Sequence, residues 1–111
     1  MAFNKSQERE FQIALCTVPD QATGEMLAEK MVERSLAACV NIIPTITSVY
    51  QWQDKIEKDP ESLLVIKTEA DLMASLGELL DEEHPYEVYE LISCGIDQAS
   101  SAYLDWLKST L

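Results

Sequence analysis

The sequence predicts an α+β fold, a four-stranded antiparallel sheet with two helices on one face and a further helix at the C-terminus. Two observations predict it. The apolar residues alternate in some segments and recur at helical spacing in others, and the segments follow the order βαββαβ before the last helix. The chain is also 47% hydrophobic, with only three glycines and four prolines, so a packed core is expected rather than a disordered or low-complexity chain. This order packs most simply as a ferredoxin-like sandwich.

The first strand is FQIALCTV, Phe11 to Val18, in which Phe11, Ile13 and Leu15 alternate with Gln12, Ala14 and Cys16 until Pro19 stops it. Phe11, Ile13 and Leu15 are expected on its major apolar face, Ala14 and Cys16 on its minor face. Asp20 is placed to cap a helix whose stripe is Leu27, Ala28, Met31 and Val32, with Glu25, Glu29 and Glu33 on another face; Gly24 weakens its helical propensity. Ala38 to Gln53 is rich in β-branched and aromatic residues, and Pro44 in its middle demands a bulge or an edge position. Asp54 and Lys55 turn the chain into a long hairpin, and SLLVIKT supplies its returning strand after a loop at Asp59-Pro60.

Thr68 to Asp71 approximates a capping box ahead of a helix carrying Leu72, Met73, Leu76, Leu79 and Leu80. Pro85 disfavours helical geometry at His84, so this helix is expected to end close to Glu83. EVYELISC forms the fourth strand, Gly95 to Gln98 a loop, and Ala99, Ala102, Tyr103, Trp106 and Leu107 the stripe of the last helix. Residues 1–10 are expected to be a flexible segment and 11–111 one domain. Two helices cover one sheet face only, yet Leu63 to Ile66 are apolar in succession. The second face therefore calls for an oligomer partner or the terminal helix.

A net charge of −12 with no basic patch excludes binding to a phosphate backbone and disfavours anionic membranes. The N-terminus lacks an apolar signal region and no segment is long enough to span a bilayer, so a cytoplasmic location is expected. Cys16, Cys39 and Cys94 are odd in number and widely spaced, fitting neither a disulfide framework nor a CxxC site. There is no nucleophile elbow, second histidine or glycine-rich phosphate loop, which argues against an enzyme.

The chemistry concentrates in DEEHPYEVYE, Asp81 to Glu90, where the only histidine, His84, stands among five carboxylates. It is read in two ways: as a helix-end residue at the negative end of the dipole, or as a metal ligand with Cys16 as its only soft partner. Protons compete with metal for an imidazole nitrogen, so copper affinity is expected to weaken below neutral pH. Lys67 is expected to pair with Glu90 across the sheet, while Tyr50, Trp52, Tyr86 and Tyr89 are candidates to line a cleft.

The segments ERSLAACVNIIPTITSVYQWQDKIEKD, LLVIKT, HPYEVYE and YLDWL, in this order, resemble the CutA1 family of divalent-cation tolerance proteins. The resemblance implies a ferredoxin-like subunit, a cytoplasmic homotrimer akin to the PII signalling proteins, and tolerance to copper or another divalent cation. It implies metal ligands at Cys16 and His84. Glu83 stands where some members have a second histidine, a harder ligand for the same metal. The alternative it implies is a signalling or scaffold trimer binding a small molecule in intersubunit clefts near Trp52, Lys67, Tyr86 and Glu90. Thr45, in place of a usual glycine, is expected to alter the strand bend; Tyr89, in place of a frequent proline, restores a backbone donor.

Overall fold

The structure is a computed structural model that describes residues 3–5 and 11–111. Strand β1 (Phe3–Lys5) pairs with β6 (Gln98–Ser100) in a small second sheet. The expected flexible segment otherwise falls outside the described residues. The main sheet holds β2 (Phe11–Val18), β3 (Cys39–Trp52), β4 (Lys55–Glu69) and β5 (Ile92–Gly95), all antiparallel in the order β3-β4-β2-β5. With helices α1 (Gln21–Glu33) and α2 (Met73–Glu83) this is the ferredoxin-like βαββαβ arrangement; α3 (Ser101–Thr110) follows β6.

Local chemistry sets most element ends. Asp20 accepts a hydrogen bond from the Thr23 amide at 2.8 Å and caps α1 as expected. The glycine in α1 has a packing reason: a Cβ on Gly24 would stand 3.2 Å from Leu64 and 3.3 Å from Val18, so its absence lets α1 approach the sheet. The register of β3 on β4 shifts between Ile43 and Ile46, the bulge that Pro44 requires. The hairpin turns at Gln53 and Asp54, both at positive φ, between the paired Trp52 and Lys55, one residue earlier than expected. Nor does Asp59-Pro60 break the return: β4 runs through it, with Pro60 opposite Thr47.

Four further expectations are corrected. The helix-covered face of β2 carries Ala14, Cys16 and Val18, which pack with Leu27, Met31, Leu64, Ile66, Leu76 and Leu80; Ile13 and Leu15 lie half-buried on the other face. Small residues sit where helices approach closely, so side-chain size pointed to the wrong face. Thr68 caps no helix: it is a buried β4 residue whose hydroxyl donates to the Leu36 carbonyl at 2.6 Å, and a 3-10 turn (Ala70–Leu72) leads into α2. The fourth strand is shorter than predicted, because residues 84–91 are held in an irregular path by side-chain bonds from His84, Tyr86 and Tyr89. Gln98 and Ala99, expected in a loop and a helix, belong to β6.

The second sheet face is only partly covered. Phe11 packs with Ala38, Leu104 and Leu107 under α3. The cross-strand rows Asn41–Val65–Leu15–Ile92 and Ile43–Leu63–Thr17 lie beyond that cluster, with Ile92 56% and Ile43 42% exposed.

Candidate functional site

Helix α2 ends at Glu83 because His84 takes an extended conformation (φ −74°, ψ 132°), as a residue before proline does. The turn swings the imidazole inward, where it is only 8% exposed. Nε2 lies 2.9 Å from the Thr17 carbonyl, and Nδ1 lies 3.0 Å from the Tyr86 amide, which donates to it. A carbonyl only accepts and an amide only donates, so the ring is neutral with its proton on Nε2. The ring also packs against Tyr86 and Tyr89, at centroid distances of 4.8 and 5.5 Å. Both helix-end and potential ligand features thus meet in one residue: an N–H fixed on a backbone carbonyl orients an imidazole for metal, leaving Nδ1 as the nitrogen with a lone pair.

Cys16 lies fully buried in the helix-side core, its thiol turned to the Thr17 carbonyl at 3.7 Å. Burial, with Glu90 and Glu61 adding repulsion, pushes that thiol up to about 12, so it is protonated at neutral pH. Glu83 is turned to Lys30, with Nζ to Oε1 at 2.5 Å, and this bond holds its carboxyl below the ordinary carboxylate range. Among the described residues, no three His, Cys, Asp or Glu side chains gather so as to hold a metal ion. Cys16, Glu83 and His84 are neighbours in the fold without forming a ready coordination sphere.

A cleft of about 640 Å³ opens between the hairpin and residues 85–90. It contains three of the four residues predicted for a ligand cleft, Trp52, Tyr86 and Glu90. Lys67 lies instead on the open sheet face, opposite Cys39 and Ile13, and donates to Asn41; it does not pair with Glu90. Sequence reasoning missed Asp59, Glu61 and Glu87, which also line the cleft. A signal existed for two of them: Glu57, Asp59 and Glu61 alternate, which puts them on one face of a strand. Tyr50 donates to Asp59, and Tyr86 donates to Glu61 at 2.7 Å. The bond to Asp59 pushes the Tyr50 phenol above its ordinary range, and burial followed by the bond to Glu61 does so for Tyr86. Thr17, Pro85 and Tyr86 belong to the cleft wall, which therefore has His84 directly behind it.

Fold and site together define a small ferredoxin-like protein with an acidic, aromatic cleft and a half-open sheet. The sequence profile of the CutA1 divalent ion tolerance protein family matches residues 12–110. The chain belongs to this family. It is 40% identical over 97 residues to the divalent-cation tolerance protein CutA of Thermus thermophilus, covering 87% of this chain and 94% of that protein. It is 45% identical over 94 residues to protein CutA of Mus musculus, covering 85% of this chain but 53% of that protein, so it spans about half the mouse relative's length. Among solved structures, CutA1 from Oryza sativa superposes with a TM-score of 0.88 at 40% identity, covering 91% of this chain and 93% of that one. CutA from Synechococcus elongatus gives 0.92 at 33% identity, covering 99% and 96%, and has also been solved complexed with a Bis-Tris molecule.

Proposed function

We propose that the protein is a non-enzymatic, cytoplasmic homotrimer that contributes to divalent-cation tolerance by binding copper or another divalent cation through His84. The observation that carries the reading is the chain's one imidazole standing directly behind the wall of a cleft that holds Asp59, Glu61, Glu87 and Glu90. The carboxylates concentrate cations at the cleft, and a metal takes the Nδ1 lone pair by displacing the Tyr86 amide. Cys16 and Glu83 join as further ligands, Glu83 on release from Lys30 and Cys16 as the metal displaces its proton to solvent. The exposed rows around Ile43 and Ile92, and Val49 and Ile56 on the hairpin, support a homotrimer that buries them.

Calorimetric titration with copper tests the metal site. Wild type is expected to bind more weakly as the pH falls below neutrality, because protons compete for Nδ1; His84→Ala loses this tight, pH-dependent binding. Identical binding by wild type and His84→Ala at each pH overturns the proposed ligand. A second reading, a PII-like trimer taking a small molecule in the cleft, is favoured by the meeting of Trp52, Tyr86 and Glu90 there. The Bis-Tris complex of the Synechococcus relative supports it.

A further inference from the structure

We propose that the cleft between the β3–β4 hairpin and residues 85–90 is a receptor for an organic ammonium ion; this rests on the second reading and gives its ligand a chemical class. About 640 Å³ lies within the size range of small-molecule sites. Its wall carries the rings of Tyr50, Trp52 and Tyr86 and four carboxylates, with no lysine or arginine to favour an anion.

The distribution of these groups separates an organic cation from a bare metal ion. No three of the described acids, cysteines or histidine converge on one point, as inner-sphere coordination of a small divalent ion requires. Asp59 and Glu61 are spread along β4 and each already accepts a tyrosine hydroxyl, while Glu87 and Glu90 make no hydrogen bond or ion pair among the described residues. Separated negative charges beside ring faces suit a bulky, weakly hydrated ammonium group. The tyrosine hydroxyls also donate to carboxylates, which enriches both rings in electron density and strengthens their attraction for a cation. The aromatic walls then bury the ligand's carbon atoms, while Glu87 and Glu90 supply the remaining charge.

Choline and its uncharged carbon isostere, 3,3-dimethylbutan-1-ol, test the ligand class. They are titrated into the full-length Trp106→Phe protein, in which Trp52 is the only tryptophan, and its fluorescence is followed. Choline is expected to give a saturable change, and the isostere at least roughly tenfold weaker binding, as loss of a cation–π and carboxylate contact predicts. Adding Glu87→Gln and Glu90→Gln is expected to weaken choline binding while leaving the thermal midpoint unchanged. Equal binding of choline and the isostere overturns the ammonium assignment but leaves the small-molecule cleft standing. Saturation by neither overturns both. Magnesium chloride reproducing the choline response at matched ionic strength reveals an unspecific acidic surface and also overturns the assignment.

Discussion

The two sides of the cleft wall differ in what their polar atoms are doing. Behind it, His84 and Cys16 are buried, and both ring nitrogens of His84 are already engaged. On its outer rim, Trp52 is 61% exposed, and Glu87 and Glu90 are exposed without a hydrogen bond or ion pair among the described residues. The residues with the most suggestive metal chemistry are thus also structural, whereas the groups open to a ligand at once are carboxylates and rings. A metal at His84 must undo a packed turn; an organic cation in the cleft meets no such barrier.

Four substitutions sharpen this contrast, from the largest effect to the smallest. Leu64 pairs with Cys16 in the sheet and is fully buried beneath α1, so Leu64→Ala should lower stability by about 2–5 kcal/mol in urea unfolding. His84→Ala leaves the Thr17 carbonyl and the Tyr86 amide without their partner, at a cost of about 1–3 kcal/mol in the same measurement. A loss as small as that of a surface substitution would show that the ring does not hold the turn.

Glu83→Gln acts at the half-buried Lys30 pair near the surface and should have a small effect with a defined pH sign. The folded carboxyl is held below its ordinary value of 4.5, so its contribution is present above that pH and is lost as the pH falls through the depressed folded value. The stability difference between Glu83→Gln and wild type should therefore shrink on acidification below 4.5, as read from unfolding curves across that range. Glu87→Gln on the open rim should change stability by no more than about 0.5 kcal/mol.

Much of the frame was legible in the sequence because its signals are local. Asp20, Pro44 and Pro85 act on their own or adjacent backbone, and each does so where expected. The facing of β2 was not legible, because Ile13 and Leu15 on one side and Ala14, Cys16 and Val18 on the other are all apolar; only helix docking over Gly24 decides between them. The fourth strand was overextended for a related reason. Glu87 to Cys94 carries the valine, tyrosine and isoleucine of a strand, but the hydroxyls of Tyr86 and Tyr89 bond to Glu61 and to Gly77 and Asp81, partners distant in sequence or on the preceding helix.

The same limit applies to the site. The family resemblance pointed to Trp52, Tyr86 and Glu90, and the structure brings them together. It also pointed to Lys67, whose place on the open face follows from the register of β4 with β2 and β3. Cys16, Glu83 and His84 could be named from the sequence, but their hydrogen bonds and charge partners depend on α1, β2 and the turn after α2 packing together.

Nitrogen-15 NMR of the His84 imidazole, recorded while diamagnetic zinc is added, tests the central claim most directly. Without metal, the spectrum should show a neutral ring protonated at Nε2. Zinc should shift Nδ1 and the Tyr86 amide together as the metal displaces that bond. Zinc binding that leaves both signals in place while the Glu87 and Glu90 backbone amide signals move would contradict a metal site at His84.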